Sequence, residues 1–146
     1  RLKVIGGFFG ETGYHKTIES LASADQRVEL CGMLPTPKVY KALRESALLC
    51  LPSVVPESFS LALHEAAAAG VPALVSDLGA PAQLVQAHNC AGVVTPGSPQ
   101  AWADAIGAVL DTPDTLKKWK KNLFLPLRVE EEAFFFESAY QQLRCV

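Results

Sequence analysis

The chain has 146 residues, of which 49% are hydrophobic and 19% charged, and its formal net charge is −2. These values suit one domain with a buried α/β core, and they exclude a disordered chain and a chain that attracts nucleic acid through its overall charge. No apolar run approaches the ~18 residues of a membrane-spanning helix, and the first residues show no signal-peptide pattern, so we predict a cytoplasmic location.

Short β-rich runs alternate with segments of helical composition. In chain order we expect strand Leu2–Ile5, helix 11–24, strand 27–31, helix 37–46, strand 47–51, helix 61–69, strand 73–75, helix 82–87, strand 92–95 and helix 99–110. The run 47–51 is continuously apolar, which is typical of a strand buried on both faces. Gly70 suits the C-terminal cap of the helix before it. The alternation predicts parallel β-α-β units in an α/β domain, Rossmann-like, with a mainly parallel sheet flanked by helices.

The tail differs in kind from the preceding sequence. Lysines surround Trp119 in a basic helix, and we favour a solvated helix face with one anchoring aromatic over contact with an anionic membrane surface. An apolar linker over residues 123–129 leads to a final helix over residues 130–143. We therefore divide the chain into a domain over residues 1–122 and a linker with a C-terminal helical extension over residues 123–146. The aromatic run 134–136 is expected to pack against the body or against a further domain.

The four cysteines are widely spaced and form no C-x2-C pair. Cys31 and Cys50 lie within apolar runs, where cysteine acts as a small hydrophobe. Reduced thiols are therefore predicted for Cys31, Cys50, Cys90 and Cys145, and no metal site is expected.

Residues 51–77, LPSVVPESFSLALHEAAAAGVPALVSD, carry the chemistry. A strand ends near Ser53, a loop follows, and a helix begins near residues 59–61. Ligands of open parallel sheets bind beyond the carboxyl ends of the strands, and the unpaired N–H groups of a helix start suit a phosphate. Small side chains at Ser58 and Ser60 would let such a ligand approach the backbone closely.

Two carboxylates, Glu57 and Glu65, flank this turn. A carboxylate accepts two hydrogen bonds side by side and can hold a vicinal diol. Eight residues at ~1.5 Å rise give roughly 12 Å if the segment is helical throughout, which is about the reach from a sugar ring across a diphosphate to a ribose. The pattern predicts a cradle for a nucleotide-sugar, with one carboxylate for each diol.

The ordered set Glu57-x7-Glu65, Ala66, Gly70, Pro72 and Ser76-Asp77 resembles the E-x7-E region of GT-B glycosyltransferases, specifically the large retaining family four. The agreement extends to residues 2–7, 27–32, 51–53, 92–94 and 102–106, so the resemblance is nearly continuous from residue 2 to about residue 110. It implies the C-terminal, donor-binding half of such an enzyme.

The resemblance also implies residue roles. Glu57 is expected to contact donor-sugar hydroxyls near the reacting carbon, which makes it the candidate catalytic residue, and Glu65 to bind the ribose diol. The full candidate donor site comprises Met33 and Leu34 beside the base, with Glu57, Ser58, Phe59, Ser60, Leu61 and Glu65 around the sugar and diphosphate. The family retains the anomeric configuration and needs no metal and no cofactor. Its donor substrate is a nucleotide-sugar such as a UDP- or GDP-hexose.

The sequence departs from the family at a few positions. Ser60 stands where the family usually has Gly, and Gln83 where it has Glu. The family begins this domain with a Gly-Arg…Lys-Gly element whose cations hold the diphosphate, and that element would precede Arg1. The charge pattern also indicates that a basic element is missing. No Lys or Arg lies between Arg44 and Lys117, and the negative charges of a diphosphate and two glutamates in a half-buried site are costly without a cation.

We therefore expect a chain that lacks this element and the N-terminal acceptor-binding domain, and that is inactive alone. Three alternatives stay open: a donor-binding subunit that pairs with a separate acceptor subunit, part of a nucleotide-sugar epimerase, and a non-catalytic binding module. Peripheral contact with the inner face of the membrane is an alternative to a fully cytoplasmic location, and no nucleic-acid partner is expected. His64 is read as structural or solvated, because nothing places a nucleophile beside it.

The family's strand order, 3-2-1-4-5-6, adds an expectation about the sheet. Its first strand would separate Leu2–Ile5 from the strand at 47–51, so these two either pair directly or another segment or chain fills the slot. Exposed apolar patches promote association. Phe124, Leu125 and Phe135 are expected to be exposed to solvent. The chain should therefore self-associate or keep its tail folded over the exposed surface.

Overall fold

The structure, a computed structural model, describes residues 1–8, 10 and 12–143. Within them the chain forms β1 (Leu2–Ile5), α1 (Thr12–Ser23), β2 (Val28–Gly32), α2 (Thr36–Arg44), β3 (Leu49–Leu51), α3 (Leu61–Ala68), β4 (Ala73–Ser76), α4 (Gly79–His88), β5 (Ala91–Val94), α5 (Pro99–Asp111), α6 (Pro113–Lys121) and α7 (Val129–Leu143). The predicted alternation is confirmed, with element ends that differ by a few residues. Glu11, expected in the first helix, lies outside the described residues.

The described residues divide into two compact units, residues 1–45 and residues 46 onward. In the first, β1 pairs with β2 in parallel, with Leu2 opposite Val28. In the second, the strand order is β3-β4-β5, again parallel throughout, and Val75 lies opposite both Leu51 and Val93. The parallel, Rossmann-like class predicted from the sequence is therefore confirmed.

The prediction for β3 was wrong about its burial. All three of its side chains are only partly buried, whereas all four of β4 are buried. The reason is that β3 is the edge strand, since among the described strands it pairs only with β4, and β1 pairs only with β2. Direct pairing of β1 with β3, one of the two expectations for the sheet, stays a prediction. Filling of the slot by another segment or chain stays a prediction.

Hydrophobic clusters cover both faces of the β3-β4-β5 sheet, because successive side chains of a strand point to opposite faces. Ala73 and Val75 of β4 belong to one cluster, with residues of α3 and α4. Leu74 belongs to the other, with Trp102 and Val109 of α5. Gly70, at φ +76, follows the end of α3 as the predicted cap. This layering holds the carboxyl ends of β3 and β4 in place for the loops that follow them.

Trp119 anchors α6 on the second cluster while the lysines around it are exposed, which confirms the predicted solvated face with one aromatic anchor. The packing of the Trp119 ring depends on Gly92 in β5. A Cβ atom there would lie 2.5 Å from Leu74 Cδ2 and 3.0 Å from Trp119 Cη2. The strand and the anchor therefore meet only because residue 92 has no side chain.

Gly92→Ala should lower the free energy of unfolding by about 1–3 kcal/mol, because an overpacked core must shift to make room. Gly107→Ala is the matched control. Gly107 lies in α5 with open space at its Cβ position, so there alanine should stabilise by up to ~1 kcal/mol through helix propensity. Urea unfolding followed by circular dichroism measures both, and equal effects at the two positions would contradict the packing argument.

The burial of the tail residues agrees only in part with the prediction. Phe124 is 8% exposed and belongs to the first cluster, so the prediction that it is bared was wrong. Leu125 and Phe135 are exposed, as expected. No described residue of α7 is buried, so the aromatic run 134–136 is not packed into the core, whereas Leu123 and Phe124 at the start of the tail are packed there. Self-association stays a prediction.

Cys31, Cys50 and Cys90 are free thiols, as predicted. Burial raises the pKa of the Cys50 and Cys90 thiols, which disfavours the reactive thiolate form. Cys145 lies outside the described residues. Across residues 1–8, 10 and 12–143, no helix is both long enough and apolar enough to span a bilayer.

Candidate functional site

The loop between β3 and α3 holds Glu57 from two directions. Ser53, just beyond the end of β3, donates a hydrogen bond from its Oγ to Glu57 Oε1. The Glu57 carbonyl accepts a hydrogen bond of 2.9 Å from the Ala80 backbone N–H in the first turn of α4. Both the carboxylate and the backbone of Glu57 are thus fixed at the carboxyl edge of β3 and β4.

Gly79 permits this arrangement. Its φ is +62°, in the left-handed region, and a Cβ atom built on it would lie 2.5 Å from the Glu57 carbonyl oxygen and 2.8 Å from the Glu57 nitrogen. A side chain at residue 79 would therefore drive the Glu57 loop away from α4. Sequence reasoning missed this residue. The available signal was a glycine directly between a strand and a helix, a pattern that can mark close backbone approach.

The start of α3 lies beside the same loop. Ser60 is its N-cap residue, at φ −123°, and the Ser60 hydroxyl makes no capping hydrogen bond. The Ser60 carbonyl accepts hydrogen bonds from the His64 backbone N–H and from His64 Nδ1, the latter at 2.7 Å. No side-chain cap therefore competes for the first N–H groups of α3, which point towards the loop as a helix start requires.

A cavity of about 260 Å³ opens between the starts of α3 and α4. The Phe59 ring stacks on the His64 ring at a centroid distance of 4.0 Å, and His64 meets the edge of Phe124 at 5.2 Å. His64 is thus held by two rings and a carbonyl, which confirms its structural role. The residues lining this cavity are Ser58, Phe59, Ser60, Leu63, His64, Ala80, Pro81 and Leu84.

A second cavity, of only about 10 Å³, lies on the sheet side of the Glu57 loop. Pro81 lines both cavities. Three polar residues, Ser53, Glu57 and Ser76, line the smaller one among apolar neighbours. Its lining is Leu51, Ser53, Val55, Glu57, Val75, Ser76, Leu78 and Pro81.

Comparison with known proteins places this geometry in a family. The family model described as glycosyl transferases group 1 matches residues 1–124. The chain belongs to this family. The resemblance to GT-B glycosyltransferases drawn from the E-x7-E region is therefore confirmed.

Curated relatives are similar over part of their length. D-inositol 3-phosphate glycosyltransferase from Nocardia farcinica is 34% identical over 94 residues, which are 64% of this chain and 20% of that protein. The enzyme of the same name from Corynebacterium glutamicum is 29% identical over 119 residues, 79% of this chain and 28% of that protein. The chain thus spans less than a third of the length of these relatives.

Solved structures share the fold. Sucrose-phosphate synthase from Thermosynechococcus elongatus superposes with a TM-score of 0.79 at 25% identity, covering 99% of this chain and 38% of that one. Anabaena HepE in complex with UDP-glucose gives a TM-score of 0.73 at 22% identity, covering 83% of this chain and 34% of that one. At such identity the second likeness concerns the fold alone.

Within this glycosyl transferase chain the predicted site residues separate into groups. Ser58, Phe59 and Ser60 line the larger cavity and Glu57 lines the smaller one. Leu61 opens α3 and is exposed, and Glu65, inside α3, is partly buried; neither lines these two cavities. Because α3 begins at Leu61 as predicted, the segment from Glu57 is not helical throughout, and the condition for the ~12 Å span between the two glutamates is not met.

Met33 and Leu34 lie in the first unit, in the loop between β2 and α2. Met33 is exposed and Leu34 is partly buried. Exposure leaves the Met33 side chain available for a ligand contact, and its predicted place beside a base stays a prediction.

The linings of the two cavities contain one acidic side chain, Glu57, and no Lys or Arg. The run without Lys or Arg between Arg44 and Lys117 explains this, because every residue of both linings falls inside it. An anionic ligand at the start of α3 would therefore meet backbone N–H groups and the helix dipole, with no side-chain cation among these lining residues.

Proposed function

We propose that this chain is the donor-binding part of a retaining hexosyltransferase whose donor is a nucleotide-sugar such as a UDP- or GDP-hexose. The observation that carries the proposal is the fixed Glu57 carboxylate beside the uncapped start of α3, at the carboxyl edge of a parallel sheet. Family membership supports glycosyl transfer, and a solved structure of the same fold is in complex with UDP-glucose. The acceptor then binds to a further domain or to a separate subunit.

In this proposal the diphosphate lies at the start of α3. Backbone N–H groups at residues 59–61 donate to its oxygens, and the positive end of the helix dipole favours its charge. The Glu57 carboxylate accepts hydrogen bonds from sugar hydroxyls near the anomeric carbon, and Glu65 accepts them from the ribose diol. The ligand would thus occupy the larger cavity and the mouth of the smaller one.

Transfer breaks the bond between the anomeric carbon and the diphosphate oxygen and forms a bond from that carbon to the oxygen of an acceptor hydroxyl, whose proton passes to the departing diphosphate. Negative charge grows on the departing diphosphate. The N–H groups at the start of α3 are already oriented and stabilise that charge without reorganising, which is the main route by which such sites lower a barrier. Glu57 holds the sugar ring in a reactive orientation. No metal is required in this scheme.

The charge balance limits how tightly the isolated chain can bind the donor in this proposal. A nucleoside diphosphate beside Glu57 and Glu65 gathers several negative charges, and the cavity linings offer no Lys or Arg. Like charges in a partly desolvated site repel strongly. Cations from a basic element outside the described residues would complete the site. We therefore expect the isolated chain to bind the donor weakly.

Binding tests the proposal directly. UDP-glucose and GDP-mannose are titrated separately into the ¹⁵N-labelled chain, and shifts are expected at the backbone amides of residues 59–61. Glu57→Gln should weaken binding roughly tenfold to a hundredfold, because hydrogen bonds to a charged acceptor are worth about 1.5–3 kcal/mol. Glu137→Gln, an exposed change on α7, is the matched control and should leave the affinity unchanged. Shifts elsewhere, or equal affinity of the Glu57 variant, would count against the proposed site.

Turnover is tested separately. The purified chain, mixed with either donor and a panel of simple sugar alcohols, should release nucleoside diphosphate no faster than its Glu57→Ala variant. The reason is the absence of lining cations together with the small share of the relatives' length that the chain spans. Release clearly above that of the Glu57→Ala variant would show that the chain is active alone.

A further inference from the structure

We propose that the smaller cavity is a binding site for one ordered water molecule, through which Ser76 positions the Glu57 carboxylate. The structural part of this proposal stands alone. Its consequence for the donor rests on the function proposed above. Ser76 is thus assigned as a positioning residue that acts on Glu57 without touching the donor.

The Ser76 hydroxyl is the first observation. Ser76 is the last residue of β4 and is 3% exposed. Its Oγ is buried, and no group among the described residues hydrogen bonds to it. Buried hydroxyls almost always have a partner, because desolvation without a hydrogen bond is costly. An alanine at this position would avoid the cost, so the hydroxyl calls for an explanation.

The size of the cavity is the second observation. It measures about 10 Å³. A space of ~10–15 Å³, measured as the volume open to the centre of a water molecule, holds one water. The donor sugar is far too large for it. Neighbouring Leu51 and Val75 are apolar, so the occupant must find its hydrogen bonds at the polar wall.

The polar wall is the third observation. Ser53, Glu57 and Ser76 are three polar residues in the lining of one cavity, and a buried water typically makes ~2–4 hydrogen bonds. Ser53 already donates to Glu57 Oε1, and a carboxylate has further lone pairs to offer. A water that donates to Glu57 and bonds with the Ser76 hydroxyl would restrain the carboxylate from a second side.

Two competing arrangements predict opposite results for Ser76→Ala. If the cavity is dry, the change removes an unsatisfied hydroxyl, and the midpoint of thermal unfolding should stay the same or rise. If a water bridges Ser76 and Glu57, the change should lower the midpoint. Ser53→Ala should lower it in both cases, because it removes a formed hydrogen bond, and so it calibrates the assay.

A high-resolution crystal structure of the chain provides the direct measurement. We expect density for one water within hydrogen-bonding distance of both Ser76 Oγ and the Glu57 carboxylate, and its loss or displacement in Ser76→Ala. An empty cavity in the unsubstituted chain overturns the proposal, even if the variant fails to fold. Direct contact between the Ser76 hydroxyl and a donor hydroxyl in a donor complex overturns it as well, since Ser76 would then be a ligand-binding residue.

The functional arm uses a double-mutant cycle on nucleotide-sugar affinity. Ser76→Ala should weaken UDP-glucose or GDP-mannose binding about threefold to tenfold, the range of one neutral hydrogen bond. The same change in a Glu57→Gln background should have almost no further effect, because both act through one carboxylate. Additive losses would mean a general structural role and would overturn the positioning role. If Glu57→Gln alone leaves affinity unchanged, the proposed function fails, and the crystallographic arm still decides the water site.

Discussion

Replacing Phe124 with alanine should lower the free energy of unfolding by about 3–5 kcal/mol, the cost of removing a buried aromatic ring. Leu125→Ala, one residue along the chain, should change it by less than ~0.5 kcal/mol. The contrast follows from exposure, which is 8% for Phe124 and 86% for Leu125. The Phe124 ring also contacts the rings of His64 and His88. Equilibrium unfolding in urea, followed by circular dichroism, measures both changes.

The Phe124 variant also tests how the linker supports the site. Phe124 contacts His64, and His64 in turn stacks on Phe59 at the larger cavity. Removing the ring should therefore loosen the start of α3 and broaden the amide signals of residues 59–61. Phe124→Leu keeps most of the apolar volume and should retain most of the stability. Similar losses at residues 124 and 125 would show that the linker is not anchored as the structure describes.

Local pattern was sufficient for the secondary structure. Strands and helices were predicted in the correct order because each is encoded by a short run, such as the buried β4 followed by the Gly79–His88 helix. The cap at Gly70 was equally local, since it depends on one backbone conformation directly after a helix. The placement of Ser58 and Ser60 on a cavity followed from the general position of loops at the carboxyl edge of a parallel sheet.

Contacts between distant segments could not be predicted in this way. The apolar run 47–51 indicated a fully buried strand, but burial depends on whether a neighbouring strand pairs with its free edge. Phe124 belongs to an apolar linker in the sequence, and only the folded chain shows that it packs near α3 and α4. The approach of Gly79 to Glu57 likewise joins the start of α4 to the loop that follows β3. No periodicity within either segment encodes such a contact.

Replacing Gly79 with alanine should destabilise the fold more than the same replacement at Gly92 or Gly97. The left-handed conformation alone costs a non-glycine residue roughly 1–2 kcal/mol. The added Cβ would also lie 2.5 Å from the Glu57 carbonyl oxygen, and backbone atoms held by a hydrogen bond to Ala80 cannot move aside cheaply. We expect a total loss above ~3 kcal/mol in the free energy of unfolding. Thermal and urea unfolding of the variant give this value.

Gly97→Ala separates the two causes. Gly97 also has a left-handed backbone, at φ +69°, but nothing lies within 4 Å of its Cβ position, so it should lose only the conformational part, roughly 1–2 kcal/mol. The difference between the variants then measures the contact with Glu57. Where Gly79→Ala still folds, it should bind nucleotide-sugar no better than Glu57→Gln, because the displaced loop carries the carboxylate with it. Equal destabilisation at residues 79 and 97, with donor affinity intact, would mean that the Gly79 contact does not hold Glu57 in place.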